Sequence, residues 1–157
     1  SELGHMVIVK GGKKCGCGRR GCWEAYASAT ALINQTKDAI VNEKAEFSFM
    51  LDAVEGDMNN VTGKTPWDAM LAGDSTGKEV IDNYISYLAC GIVNVINIFQ
   101  PDVLCIGGGV RKQGDNLLNP VRAIVEQERI TKHNEKQTVI CAATLGNDAG
   151  IIGAACL

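Results

Sequence analysis

No run of about 18 consecutive apolar residues occurs in the 157-residue chain, so no membrane-spanning helix is expected. The opening residues Ser1-Glu2-Leu3-Gly4-His5 lack the basic and apolar regions of a secretory signal. Proline is scarce at 3 residues, and there is no internal repeat or Pro/Ser-rich linker, which argues against a low-complexity tract. Positive charge is also in the minority: 15 Lys and Arg against 18 Asp and Glu leave a formal charge of −3. That balance excludes a broad electrostatic grip on nucleic acid, while leaving room for a local basic patch. The 7 cysteines are an odd number without an export signal, so reduced thiols or metal ligands are expected rather than a disulfide framework. The compartment reads as cytoplasmic.

What is present suits one globular unit, or one lobe of something larger. Hydrophobic residues make up 46% of the chain, enough at this length to bury a core. Glycine is abundant at 18 residues, which points to tight loops that approach ligands. Met6-Val7-Ile8-Val9 reads as a short strand entering a turn at Gly11-Gly12. Apolar spacing from Trp23 to about Lys37 predicts a helix, residues 38–66 are ambiguous, and Glu55–Asn60 read as an exposed loop.

The clearest helix follows the candidate caps Asp74-Ser75-Thr76 and runs to the break at Pro101, with apolar residues on several sides. Val103-Leu104-Cys105-Ile106 reads as a strand, Leu117–Arg129 as a helix and Thr138–Ala142 as a second strand. Residues 146–150 read as a turn into an Ala- and Ile-rich final helix. Helices alternating with short apolar strands predict an α/β domain.

Cys15-Gly16-Cys17-Gly18-Arg19-Arg20-Gly21-Cys22 sets three thiols within eight positions, ten residues after His5. One histidine and three cysteines form a common tetrahedral zinc set, and the intervening glycines let the sulfurs converge. Lys13, Lys14, Arg19 and Arg20 would favour the thiolate forms. Three ordinary buried thiols, or a zinc module touching nucleic acid through this basic loop, stay open on spacing alone. Glu2 and Glu24 flank these positions. They read either as solvated surface charge or as carboxylates that a metal knot holds together, suited to accepting hydrogen bonds from polyol hydroxyls. Gly107-Gly108-Gly109 after a strand allows backbone N–H groups to approach a nucleotide, although such turns also occur without a ligand. It is not a Walker A loop, and Gly63-Lys64-Thr65 lacks the upstream glycine of one.

Glu2-x-Gly4-His5 followed by Cys15-x-Cys17-Gly18-x-x-Gly21-Cys22-x-Glu24 resembles the signature of the ROK family (repressors, open reading frames and sugar kinases). The Gly107–Gly109 loop and the segment 146–155 extend the resemblance over essentially the whole chain. It implies an actin-like, ribonuclease H-like ATPase fold, with residues 1–157 as a carboxy-terminal lobe. Residues 1–25 would be a zinc- and sugar-binding segment, and 75–157 a nucleotide-side α/β segment. Structural zinc on His5, Cys15, Cys17 and Cys22 is implied, as are sugar contacts from Glu2, His5 and Glu24. Gly107, Gly108 and Gly109 would line the adenosine side of ATP.

The amino-terminal lobe, with its phosphate loop and its aspartate base, is absent from these residues. No catalytic base is therefore expected in this chain, and the fragment alone is expected to be inactive. Ser1 stands where the family usually has glycine. The resemblance further implies a cytoplasmic, homodimeric hexose kinase using ATP and Mg2+, most akin to the glucokinase branch. Kinases for fructose, N-acetylmannosamine or N-acetylglucosamine are the enzyme alternatives. A sugar-responsive repressor, the one case calling for nucleic acid as a partner, is the alternative outside enzymes.

Overall fold

The computed structural model describes residues 2–43, 48–145, 151, 154 and 155. The turn expected at 146–150 lies outside them, and of the expected final helix only 151, 154 and 155 are described, as helical. The described elements are α1 (Glu24–Ala27), α2 (Ala29–Asn42), α3 (Phe49–Ala53), α4 (Thr65–Leu71), α5 (Ser75–Phe99), β1 (Val103–Ile106), α6 (Asp115–Glu128) and β2 (Val139–Ala142). Short 3-10 turns cover Leu3–His5, Met58–Asn60 and Gly109–Gln113. The chain divides into two compact units, Ser1–Gly91 and Ile92–Leu157, with the boundary inside α5. Among the described residues no helix is long and apolar enough to cross a membrane.

In the first unit, Met6–Val9 does not form a strand. Among the described residues of this unit only isolated antiparallel bridges occur, Val7 with Cys22 and Lys14 with Arg20. The amides of Ile8 and Val9 both donate to Gly21 O, at 2.9 and 3.2 Å, so this stretch serves a loop and not a ladder. The helix expected over Trp23 to Lys37 is broken at Ser28, whose extended backbone (ψ 166°) separates α1 from α2. Ser28 Oγ accepts from Ala31 N at 3.0 Å, an N-cap that starts α2 afresh. Ile40 of α2 then packs with Met50, Val54, Val61 and Ala69 in a buried cluster.

Residues 38–66, ambiguous in sequence, hold the end of α2, all of α3 and the start of α4, and Glu55–Asn60 are largely exposed as expected. Asp74 Oδ1 accepts from Gly77 N at 2.5 Å and caps the start of α5. Val80, Ile81, Tyr84, Ile85, Leu88 and Ala89 bury several sides of that helix, as its spacing predicts.

In the second unit β1 and β2 pair in parallel, with Val103 opposite Val139 and Cys105 opposite Cys141. Parallel neighbours need a crossover, and α6 supplies it. Leu117, Leu118, Val121 and Val125 form the buried stripe of α6. Arg122 of α6 donates from Nε and Nη2 to Ile140 O, at 3.1 and 2.7 Å, tying the helix to β2. The strands β1 and β2 and the helix α6 appear within two residues of their expected ends. The α/β class holds, although the described sheet has only two strands.

Candidate metal centre and flanking carboxylates

The loop between Lys13 and Cys22 is closed by its own backbone. Cys15 N donates to Arg19 O at 2.9 Å, Gly18 N to Cys15 O at 3.0 Å, and Gly21 N to Lys13 O at 2.8 Å. Gly21 sits at φ +82°, and a Cβ there would lie 1.7 Å from Val9 O, so only glycine fits. Besides the bonds from Ile8 and Val9 to Gly21 O, three more fasten the loop and its flank to their surroundings. Trp23 N donates to Met6 O at 2.8 Å, Arg19 Nη1 to His5 O at 3.2 Å, and Lys13 N to the Tyr26 hydroxyl at 2.7 Å. Sequence reasoning did not single out Tyr26 for this role. The available signal was Gly12, where a Cβ would sit 2.0 Å from the Tyr26 hydroxyl.

This folding brings together the four residues that spacing nominated. One donor atom from each of His5, Cys15, Cys17 and Cys22 lies within 4.8 Å of every other. Zinc bonds of about 2.3 Å to sulfur and about 2.0 Å to nitrogen, at tetrahedral angles, would set sulfurs about 3.8 Å apart and sulfur and nitrogen about 3.6 Å apart. The sulfurs of Cys17 and Cys22 are 3.7 Å apart, and Cys15 Sγ is 3.6 Å from His5 Nδ1. The donor set and its spacing therefore fit a tetrahedral dication.

The electrostatics agree. Burial, with the adjoining Cys17 and Cys15 sulfurs, pushes the Cys22 thiol up to about 11, because a second thiolate beside the first is repelled. The Arg19 backbone N–H beside Cys17 holds that thiol below its ordinary value. A cation at the centre of such a cluster favours all three thiolates at once.

Glu2 and Glu24 flank the same imidazole. Glu2 Oε2 is 3.9 Å from His5 Nε2, and Glu24 Oε2 is 3.5 Å from His5 Nδ1. Glu24 opens α1 and its side chain lies over Gly4, in ordinary van der Waals contact with a Cβ built there. The side chains of Glu2 and Glu24 are 88% and 51% exposed, so both carboxylates can reach a ligand. The two acids and the histidine thus converge, as their positions beside metal-ligand candidates suggested.

Gly107, Gly108 and Gly109 lie in the other compact unit, directly after β1. Gly108 has φ +74°, and a Cβ at any of the three would meet nothing within 4 Å. The loop leaves open space beside its backbone. The following turn is anchored by Arg111 Nη1, which donates to Ala143 O at 3.0 Å.

Known proteins share this arrangement of sequence. The family model described as "ROK family" matches residues 1–157. A glucokinase of Halalkalibacterium halodurans is 36% identical over 154 residues, covering 97% of this chain and 45% of the relative. A xylose repressor of Bacillus spizizenii is 28% identical, covering 97% of this chain and 35% of the relative. Among solved structures, a ROK family glucokinase from Streptomyces griseus in complex with glucose and AMPPNP superposes with a TM-score of 0.85 at 30% identity. It covers 99% of this chain and 50% of that one. The chain spans about half the length of the curated relatives it matches. Its fold is that of the actin-like ATPases, and with the family model matched from one end to the other, the chain belongs to the ROK family.

Proposed function

We propose that this chain is the carboxy-terminal lobe of a cytoplasmic, ATP-dependent hexose kinase, with glucose as the sugar. The observation that carries this reading is the placement of two exposed carboxylates, Glu2 and Glu24, on either side of His5 beside the candidate metal-ligand cluster. Each carboxylate accepts hydrogen bonds from neighbouring sugar hydroxyls, and their separation by the imidazole spreads these acceptors along one edge of a pyranose. His5 Nδ1 faces both Cys15 Sγ and Glu24 Oε2, while Nε2 faces Glu2, so with Nδ1 serving the ligand cluster Nε2 would be left to the sugar beside Glu2. Zinc on His5, Cys15, Cys17 and Cys22 would supply folding energy and hold the loop rigid.

Backbone N–H groups at Gly107–Gly109 would approach the nucleotide in the assembled protein, which uses Mg2+ with ATP. Transfer of the γ-phosphoryl group to the sugar 6-hydroxyl needs a base, expected from an aspartate outside these 157 residues. The reading is tested on the whole protein by ATP-dependent phosphorylation of glucose, fructose, N-acetylmannosamine and N-acetylglucosamine, with the 157-residue chain assayed beside it. Glucose is the expected best substrate, and the chain alone is expected to be inactive. No turnover of any hexose by the whole protein would refute the kinase reading.

A sugar-responsive repressor is the second reading, favoured by the similarity to the xylose repressor over 97% of the chain. It would use the same carboxylates and loop to bind sugar without phosphoryl transfer.

A further inference from the structure

The parallel pairing of β1 and β2 sets Cys105 directly opposite Cys141, and their sulfurs are 3.4 Å apart although the residues are 36 positions apart in sequence. Register partners point to the same face of a sheet, and here that face also carries Val103 and Val139, which are 54% and 58% exposed. The opposite face, with Ile106 and Ile140, is buried. Cys105 is exposed and Cys141 partly so, in contrast to the buried Cys15 and Cys22.

Adjacent strands run about 4.8 Å apart, inside the range of about 4.4–6.8 Å that disulfides span between Cα atoms. The register and the 3.4 Å sulfur separation thus place the two thiols where side-chain rotation brings them toward bonding distance. The geometry points to Cys105 and Cys141 as a peroxide-oxidised thiol pair that closes to a reversible disulfide between β1 and β2.

The chemistry balances with hydrogen peroxide as the oxidant. One thiolate attacks a peroxide oxygen; the S–O bond forms, the O–O bond breaks, and hydroxide leaves to take up a proton. The second sulfur then attacks the sulfenic sulfur; the S–S bond forms, the S–O bond breaks, and a second water departs. Two thiols lose two hydrogens, and one peroxide becomes two waters. The Cys141 sulfur, followed by partial desolvation, holds the Cys105 thiol above its ordinary value, so acidity does not single the pair out. Proximity does. A resolving thiol at contact distance captures the sulfenic acid before it advances to the sulfinic stage. Cys105 lies two residues ahead of Gly107, so the bond staples the root of the glycine loop to β2. This inference does not depend on the kinase reading.

The test uses the zinc-saturated C90S/C156S chain, in which Cys105 and Cys141 are the only cysteines besides Cys15, Cys17 and Cys22. After a small molar excess of hydrogen peroxide, remaining thiols are alkylated and the chain is digested with trypsin without reduction. The expected result is a monomer lighter by two hydrogens, with peptide 79–111 joined to peptide 137–157. Dithiothreitol should separate them, and adding C105S or C141S should abolish the link. Should the double variant fold poorly, fragmentation of the same linked peptide from the unsubstituted chain locates the bond. Recovery of both cysteines alkylated, of Cys105 as sulfinic acid beside a free Cys141 thiol, or of the link only in covalent dimers would overturn the proposal.

Discussion

The indole of Trp23 occupies the space that a side chain on Gly91 would need: a Cβ built on Gly91 lies 1.9 Å from Trp23 Cε2. Trp23 Nε1 also donates to Tyr87 O at 2.9 Å, one turn earlier on α5. The residue after the last cysteine of the loop is thereby fastened to the longest helix. Gly91→Ala should destabilise the fold. Overpacking costs about 1–3 kcal/mol, against about 1 kcal/mol gained from better helix propensity. Urea unfolding followed by tryptophan fluorescence should show a lower midpoint, and an unchanged or higher midpoint would refute the contact.

Tyr84 gives the fold a dependence on alkaline pH. Its hydroxyl donates to Ala27 O at 3.0 Å, and burial pushes its pKa up to about 12 from the ordinary 10. The folded state thus keeps a proton that the unfolded state releases. The resulting stability is fully present below pH 10 and is lost as pH rises through 12. Tyr84→Phe should lower stability at pH 8 by about 0.5–1.5 kcal/mol, the worth of a typical hydrogen bond. The variant should also lose stability less steeply than the parent above pH 10. Parallel slopes would show that Tyr84 does not carry the effect.

In the whole protein, Glu24→Ala should weaken sugar binding while leaving His5 and the three sulfurs in place. A hydrogen bond from a hydroxyl to a carboxylate is worth roughly 1.5–3 kcal/mol, or about tenfold to a hundredfold in affinity. Glu24→Gln keeps the size and removes the charge, so it should fall between. Zinc content and the KM for ATP should hold steady. A glucose KM and kcat within about twofold of the parent would assign Glu24 to ordinary surface charge. Loss of zinc in either variant would assign it to support of the loop.

The cluster of four candidate donors was legible because it is local. His5 and the three cysteines fall within the first 22 residues, and short glycine turns leave the sulfurs little choice but to converge. The helix α5 was legible from its long apolar repeat and its Asp74 cap. Met6–Val9 misled because β-branched residues favour strands only where a partner strand exists, and here the partner is the loop end Gly21–Trp23, which offers an isolated bridge and not a ladder. Ser28 was a visible cap signal hidden inside a continuous apolar periodicity. The helix α4 was missed altogether, although Pro66 in its first turn was the available start signal. The Cys105–Cys141 pair is a matter of strand register, which depends on where α6 returns the chain and is not written in either segment alone.

The zinc content of freshly prepared, fully reduced protein decides whether the four converging donors are a metal centre. Elemental analysis of the purified chain should find about one zinc per molecule, since a one-histidine, three-cysteine set binds one tetrahedral ion. Cys17→Ser should fall well below that value, whereas Cys90→Ser, on α5 and away from the donor set, should match the parent. Chelation should release the metal and loosen residues 1–25, seen as faster amide exchange there. Protein that contains no zinc, or that keeps its full zinc content after Cys17→Ser, would contradict the metal centre and the sugar-site reading built beside it.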